Sequence, residues 1–180
     1  PDCKPRIVHV PDLSAARKLG QFNELAMRLA EFLWPGPWTL VLPKTENCPV
    51  APAVTAGLDS IALRVPAHPV MRELLHASGL YLAAHSANRS GGISPTTADH
   101  VARSLGAAAP LMLDGGPCKQ GSESTIVAIN GTDFRILRPG PVTADALERM
   151  AGKPAATTNS QTIEAPGQML SHYAPHKPVR

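Results

Sequence analysis

The sequence predicts an α/β fold in which helices flank a twisted mixed sheet. Short runs of β-branched and apolar residues alternate with helical patterns over most of the 180 residues, as in proteins that layer helices on a sheet. Three such runs follow one another late in the chain, which favours a mixed sheet over a purely parallel one. The hydrophobic content of 43% is enough for one sizeable core, so we expect one principal domain over residues 1–152.

Seven strands are expected, each from a short apolar or β-branched run bounded by turn residues. They lie at residues 7–10, 39–42, 60–66, 80–84, 110–116, 124–129 and 134–140. From about Lys153 onward the periodicity ends. We therefore expect residues 153–180 to form an extended linker.

Four helices are expected from apolar residues at helical spacing, and residues suited to helix ends mark three of them. The first follows Ser14 as its cap and carries Leu19, Phe22, Leu25, Leu29 and Phe32. The others lie at residues 68–79, starting at His68 or Pro69 and ending at Gly79, at residues 96–106, capped by Thr96 or Thr97, and at residues 142–152.

Composition and charge argue against several classes of protein. The net charge of +3 is modest and its basic residues are scattered, which argues against a dedicated DNA-binding module but leaves contact with an anion or with RNA open. Cys3, Cys48 and Cys118 have no paired spacing, so they indicate neither a disulfide framework nor a zinc site and suit a reducing cytoplasm. Because no apolar run reaches membrane-spanning length, we expect a cytoplasmic protein without membrane contact.

The histidines, glycines and serines form no familiar catalytic or metal-binding pattern. His68, His76, His85 and His100 lack ligand spacing, so no metal site is expected. The chain contains neither a Walker P-loop nor a GxGxxG run. Ser86 lacks the GxSxG context of a hydrolase nucleophile, and no catalytic side chain is expected.

Five stretches are nevertheless too specific for ordinary loops. They are HSANRSGGISPTTADHV (85–101), PGPWT (35–39), SIALRVP (60–66), GSEST (121–125) and RILRPG (135–140). Small residues before a helix let backbone N–H groups approach an anion. Arg64 and Arg138 lie among apolar neighbours, where each guanidinium needs a partner. That partner is either a salt bridge to Asp59 or Glu123, or a carboxylate or phosphate group of a ligand.

These segments together resemble the YrdC-domain family of threonylcarbamoyl-AMP synthases. The matching text is IVHV, WPGPWTLVL, SIALRVPAHP, HSANRSGGISPT, GSESTIV and LRPG, in the family's order and spacing. The resemblance implies an open α/β fold and a nucleotidyltransferase that makes threonylcarbamoyl-adenylate and pyrophosphate from L-threonine, bicarbonate and ATP, with Mg²⁺ accompanying ATP. Its product would pass to the machinery that forms N6-threonylcarbamoyladenosine in tRNA.

The resemblance also implies which residues bind the substrates. Threonine would contact His9, Arg64, Ala84 and Ser124. ATP would contact Lys4, Ser60, Ser86, Asn88, Ser94, Arg138 and Tyr173, with Asn88 also ordering its loop. Thr39 and Thr125 are interpreted as structural support. The final segment resembles the linker that precedes a C-terminal domain in long family members, and we expect SHYAPHKP (171–178) to fold over the open face of the domain.

Three departures from the family pattern bear on activity. The family's PTxTxYGL-like segment and the Lys and Arg of its KxRP motif are absent, so the chain is expected to lack part of the domain at its N-terminus. Lys4 replaces a usual Asn, and His85 replaces a usual Pro. The alternative function is a non-catalytic RNA-binding module, which the small number of aromatic residues disfavours. A carbamoyl-transfer domain of hydrogenase maturation shares the fold, but the HYAP segment disfavours it.

Overall fold

A computed structural model describes residues 4–89, 91–109, 111–157 and 163–168 of the chain. Within these residues, six strands form one mixed sheet in the order β4-β1-β3-β2-β5-β6. The strands are β1 (Ile7–His9), β2 (Trp38–Pro43), β3 (Ser60–Arg64), β4 (Leu82–Ala84), β5 (Thr125–Asn130) and β6 (Asp133–Arg138). The α-helices are α1 (Leu13–Arg17), α2 (Glu24–Leu33), α3 (Pro69–Ser78), α4 (Ala98–Leu105) and α5 (Ala144–Ala151), with one 3₁₀ turn at Gly106–Ala108. The mixed α/β fold predicted from the sequence is confirmed.

The strand directions bring several chain segments to the same end of the sheet. β1 and β3 are parallel, with His9 opposite Arg64. β2 is antiparallel to β3 and parallel to β5, and β5 and β6 form an antiparallel hairpin. The last residues of β1, β3 and β6 therefore lie near the first residues of β2 and β5.

Alternation of side chains along the strands gives the sheet two different faces. The face that we call the helix-covered face carries Val8, Leu40, Leu63 and Val127, which pack with residues of α1, α2 and α5 in a buried cluster. The opposite face carries a second buried cluster of smaller extent. Its members are Ile7, Val41, Ala62, Ile126, Ala128, Leu137 and Ala165. Because Ala165 belongs to residues 163–168, which we call the tail segment, we call this side the tail-covered face.

Three of the predicted helices form, two of them with the expected terminal residues. α3 follows His68, has Pro69 in its first turn and ends at Gly79, whose φ of 63° lies in the left-handed region that glycine adopts readily. The side chain of Thr97 accepts a hydrogen bond from the His100 amide at the start of α4. α5 falls within the predicted residues 142–152.

The first predicted helix is wrong in its start and its continuity. Asp12, rather than Ser14, caps α1 by accepting a hydrogen bond from the backbone of the first turn. The chain then leaves the helix at an isolated β-bridge through Gly20, where a Cβ would lie 2.9 Å from a core leucine side chain. Asn23 caps a second helix, α2. Phe32, which was expected on the apolar side, is 71% exposed.

The strand expected at residues 110–116 is also wrong. Residues 111–116 form no strand, and Leu111 and Leu113 are 81% and 60% exposed. An apolar run becomes a strand only where a neighbour satisfies its backbone hydrogen bonds, and no described strand pairs with this run. β4 is likewise shorter than the predicted run at 80–84, because its pairing with β1 begins at Leu82.

Candidate functional site

Four of the residues assigned to threonine or ATP meet at one end of the tail-covered face. His9 and Arg64 lie side by side at the ends of β1 and β3. Arg138 ends β6, where it pairs with the second residue of β5, and Ser124 directly precedes β5. We call this end of the sheet the cationic end.

Arg138 is held firmly at the cationic end, with only 5% of its surface exposed. Its Nε donates to the backbone carbonyl of Ser124 at 3.0 Å, and Nη2 donates to the Ser124 hydroxyl at 2.9 Å. That hydroxyl lies 2.9 Å from Oγ1 of Thr39, which is fully buried. Nη1 donates to the carbonyl of Pro166 in the tail segment at 3.3 Å. Hydrogen bonds to the residue before β5 and to the tail segment therefore fix the plane of this guanidinium.

The Pro-Gly turn after Arg138 is fixed against the start of β5. A Cβ on Gly140 would lie 2.5 Å from the backbone nitrogen of Thr125 and 2.6 Å from the carbonyl oxygen of Glu123, so only glycine fits there. The Thr125 hydroxyl donates to the carbonyl of Val142 and accepts from its amide, both at 2.9 Å. These contacts are the supporting role that the sequence predicts for Thr125.

Glu123 brings a carboxylate into the same cluster. Its Oε1 accepts a hydrogen bond from the Ser94 hydroxyl at 2.6 Å, and its Oε2 lies 3.9 Å from Nη2 of Arg138. Of the two salt-bridge partners considered for the arginines, Glu123 is therefore the one at this end. Asp59 precedes β3 and lies at the opposite end of that strand from Arg64.

Arg64 is half-buried beside this cluster. Its Nε donates to the carbonyl of Gly36 at 3.2 Å, which orients the guanidinium. Burial lowers the pKa of Arg64, the Glu123 carboxylate raises it, and the positive charge of Arg138 lowers it. A guanidinium stays protonated in proteins, so Arg64 and Arg138 are two desolvated positive charges that share one nearby carboxylate.

His9 is neutral near pH 7. Burial, and then the charge of Arg64, lower the pKa of its imidazole from 6.5 to about 4. Nδ1 lies 3.3 Å from the carbonyl of Leu82, so the neutral ring donates from Nδ1 and keeps Nε2 as a hydrogen-bond acceptor. The cationic end thus combines two donor forks with one neutral acceptor.

The loop after β4 is ordered by Asn88. The amide nitrogen of this buried side chain donates to the carbonyls of Arg89 and Gly92 at 2.8 and 2.9 Å. Its Oδ1 is buried and has no hydrogen-bond partner among the residues that the structure describes. Ser86 lies half-buried in the same loop. The contacts support the expectation that Asn88 orders its loop, and they leave one buried acceptor unused.

The remaining predicted residues lie away from the cationic end. Ala84 pairs with Ile7, two residues along the sheet from His9. Ser60 starts β3 on the same face as Arg64, about 13 Å along the strand, beside a cavity of about 300 Å³ that Arg135 and Glu164 also line. Lys4 precedes β1, at the end of the sheet where β3 starts. Tyr173 and the segment SHYAPHKP lie outside the described residues.

The described parts of the chain offer neither a metal-binding cluster nor a membrane-spanning helix. No group of three or more His, Cys, Asp or Glu side chains there is placed to hold a metal ion. None of the helices in those parts has the length and apolar character needed to cross a membrane.

Comparison with known proteins decides the family. The profile of the Sua5_yciO_yrdC family, described as "Telomere recombination", matches residues 1–140. The chain belongs to the Sua5/YciO/YrdC family. A threonylcarbamoyl-AMP synthase of Bacillus subtilis is 40% identical over 185 residues, and one of Pyrococcus abyssi is 38% identical over 185 residues. Each match covers 99% of this chain, but it covers only 53% and 54% of the relatives. The chain thus spans about half the length of these curated relatives.

Solved structures agree with this membership of the Sua5/YciO/YrdC family. A crystal structure of P. abyssi Sua5 complexed with L-threonine superposes with a TM-score of 0.89 at 37% identity, covering 97% of this chain and 53% of that one. Escherichia coli YciO superposes with a TM-score of 0.64 at 20% identity, covering 78% of this chain and 68% of that one. The YciO likeness shows the fold alone.

Sequence reasoning within the family missed the part that Glu123 plays. The carboxylate was weighed only as a salt-bridge partner for an arginine. Its hydrogen bond to Ser94 spans 29 residues of sequence, and no local pattern indicates such a contact. The motif GSEST did indicate that the residues just before β5 have a role beyond that of an ordinary loop.

Proposed function

We propose that this chain contributes the threonine- and ATP-binding domain of a threonylcarbamoyl-AMP synthase. L-Threonine, bicarbonate and ATP give threonylcarbamoyl-adenylate, pyrophosphate and water, and the adenylate serves N6-threonylcarbamoyladenosine formation in tRNA. The threonine amine first forms a C–N bond to the bicarbonate carbon as water leaves, which gives N-carboxythreonine. The carbamate oxygen of N-carboxythreonine attacks the α-phosphorus of ATP, a new P–O bond forms, and the bond to the β-phosphate breaks with release of pyrophosphate. The site of action is the cytoplasm.

One observation carries this proposal. Two desolvated guanidinium groups, Arg64 and Arg138, lie at the same end of one sheet face, next to a neutral imidazole and buried hydroxyls. Such an arrangement suits a ligand with a carboxylate and phosphates, because planar guanidinium forks match both groups. The relatives that match almost the whole chain carry the name of this synthase, and the Sua5 crystal structure contains L-threonine.

The proposed roles are those that the family resemblance implies, and the positions of His9, Arg64, Ser124 and Arg138 at the cationic end support them. Arg64 pairs with the threonine carboxylate, while neutral His9 accepts a hydrogen bond from the ammonium or hydroxyl group of threonine. Ala84 packs against the same ligand, and Ser124 donates or accepts beside it. Arg138, with the loop that carries Ser86, Asn88 and Ser94, receives ATP.

The remaining proposed contacts belong to the rest of the nucleotide. Lys4 and Ser60 lie along the sheet from the cationic end and face the far part of ATP, and Tyr173 closes over it. Mg²⁺ arrives with ATP as the counter-ion of its phosphates. The protein's contribution is positioning and electrostatic stabilisation, without a nucleophilic side chain.

The direct test is to incubate the purified protein with ATP, bicarbonate and L-threonine. Pyrophosphate release that depends on threonine, together with a threonylcarbamoyl-adenylate mass in the product, is the expected result. Arg64→Lys should raise the threonine KM, because one ammonium cannot reproduce a two-pronged fork. Glu46→Gln, an exposed change near the far end of β2, is the control.

Two outcomes would count against the proposal. If Arg64→Lys used threonine as well as the parent protein does, the carboxylate assignment would be wrong. Retention of RNA by the protein without any pyrophosphate release would instead favour the non-catalytic RNA-binding alternative.

A further inference from the structure

Glu123 lies between two groups that belong to different parts of the site. It accepts a hydrogen bond from Ser94 at 2.6 Å and lies 3.9 Å from Nη2 of Arg138. Ser94 belongs to the loop of residues 85–97, whereas Arg138 belongs to the sheet. One carboxylate therefore ties the loop to the strand ends at the place where both contribute to binding.

The two contacts of Glu123 differ in strength. The hydrogen bond from Ser94 is short, as expected for a hydroxyl donating to a carboxylate. The distance to Arg138 is too long for a charge-assisted hydrogen bond, which has a length of about 2.8 Å. The shorter hydrogen bonds of Arg138 go instead to the carbonyl and hydroxyl oxygens of Ser124. Glu123 thus holds Ser94 firmly and contributes mainly its negative charge to Arg138.

The solvent exposure of Glu123 and Arg138 also indicates that Glu123 acts mainly through its charge. The Glu123 side chain is 27% exposed, whereas that of Arg138 is 6% exposed. The carboxylate also raises the pKa of Arg64, against the effect of Arg138. Glu123 therefore compensates two buried positive charges while keeping access to solvent. An anionic ligand that approached the two arginines would meet this negative charge and be repelled by it.

We propose that Glu123 is a positioning residue that fixes Ser94 and Arg138 for ligand binding and stands in for the charge of an anionic ligand. Its carboxylate keeps the two groups arranged when no ligand is bound, and it weakens the initial binding of an anion. The inference rests on the proposed function only for the identity of that anion, the phosphates of ATP.

The test compares two variants of Glu123 with inorganic pyrophosphate as the anion. Glu123→Gln keeps an oxygen that accepts from Ser94 but removes the charge, so pyrophosphate should bind about threefold or more tightly. Glu46→Gln removes an exposed carboxylate near the far end of β2 and should leave the affinity unchanged. Titration calorimetry at constant ionic strength measures all three proteins.

Kinetics separate positioning from a purely structural role. Glu123→Gln should lower the ATP KM without raising kcat, because the gain is in ground-state binding. Glu123→Ala, which also releases Ser94, should raise the ATP KM relative to Glu123→Gln. The effects of Glu123→Ala and Ser94→Ala on the ATP KM should be non-additive, since both substitutions remove the same hydrogen bond.

The results distinguish this inference from the proposed function. Unchanged or weaker pyrophosphate binding by Glu123→Gln, or an equal effect of Glu46→Gln, would overturn the inference even if the protein makes threonylcarbamoyl-adenylate. Tighter pyrophosphate binding in a protein that makes no adenylate would support the inference and contradict the proposed function.

Discussion

The two faces of the sheet use the same strands for different purposes. The helix-covered face is filled with leucine, valine, isoleucine and aromatic side chains that interlock with three helices. The tail-covered face carries the small residues Ala62 and Ala128, with Arg64 and Arg138 at one end. Among the described residues of the tail segment, Ala165 packs into the apolar cluster of this face and Glu164 pairs with Arg135. The apolar cluster on this face is buried as well, but it is smaller, and hydrogen-bonded polar groups such as Arg138 and Ser124 border it.

This contrast explains why stability and recognition can be separated in this chain. On the helix-covered face every added or removed methylene changes the packing. On the tail-covered face the charged groups are arranged by hydrogen bonds among Arg138, Ser124 and Thr39. Changes on the first face should therefore alter unfolding, and changes on the second should alter binding.

The largest expected effect is a loss of folding stability on truncating a core side chain of the helix-covered face. Leu63 is completely buried there, so Leu63→Ala should lower the free energy of unfolding by about 2–5 kcal/mol through lost burial and a cavity. The matched change on the other face, Leu137→Ala, should cost less, because Leu137 is 8% exposed and the tail segment above it can adjust. Urea denaturation of both variants measures the difference. An equal loss in the two would show that the faces are packed alike.

The next effect concerns ligand binding at the cationic end. Arg138→Ala should weaken ATP binding by about 1.5–3 kcal/mol, the range for charge-assisted hydrogen bonds. Titration calorimetry measures the affinity, with Lys153→Ala as the control, because Lys153 pairs with Asp133 at the surface. Equal ATP affinity in Arg138→Ala and the parent would remove Arg138 from the site.

The buried imidazole of His9 should make stability depend on pH. Because the pKa of His9 is about 4 in the folded protein and 6.5 as its ordinary value, the unfolded chain takes up a proton between these pH values and the folded protein does not. The protein therefore has the full stability that neutral His9 allows above pH 6.5. As the pH falls from 6.5 to about 4, the free energy of unfolding decreases by up to about 1.4 kcal/mol per pH unit because of this residue.

The measurement for His9 is the difference between the parent and His9→Gln. Urea denaturation at several pH values between 4 and 7 isolates this residue from carboxyl groups that titrate in the same range. The parent should lose more stability on acidification than the variant. Parallel curves for the two proteins would show that His9 accepts its proton as readily when folded.

Much of the fold could be predicted from local patterns because burial and capping are local in sequence. The apolar run of β3, the cap Thr97 and the terminal Gly79 each carry their own physical reason. The break between α1 and α2 could not, because it depends on how closely Gly20 approaches Leu63. Pairing between distant segments decides such points, and a single sequence does not record it.

The candidate site likewise has features that local sequence predicts and features that only long-range contacts determine. Arg64 and Arg138 were recognisable as charges within apolar strands, so their need for partners could be stated in advance. The actual partners depend on contacts between segments that are distant in sequence. Arg138 donates to Ser124, and Glu123 accepts a hydrogen bond from Ser94. The assignments of individual residues to threonine or to ATP all stay predictions.

The smallest expected effect concerns the tail segment. Glu164 accepts two hydrogen bonds from Nη2 of Arg135 at 2.9 and 3.1 Å, with both side chains 20% exposed. A pair this close to solvent contributes about 1 kcal/mol or less. Because Ala165 is fully buried against the sheet, hydrogen exchange at its backbone amide reports whether the segment stays on the sheet.

Glu164→Ala should therefore accelerate exchange at Ala165 by about fivefold or less, while the free energy of global unfolding changes little. Asp133→Ala is the matched control, since it breaks the exposed pair with Lys153 and leaves the tail segment alone. Equal exchange in the two variants would mean that the burial of Ala165, rather than the ion pair, holds the segment. Faster exchange in Glu164→Ala alone would show that the ion pair with Arg135 helps to hold the tail segment on the tail-covered face.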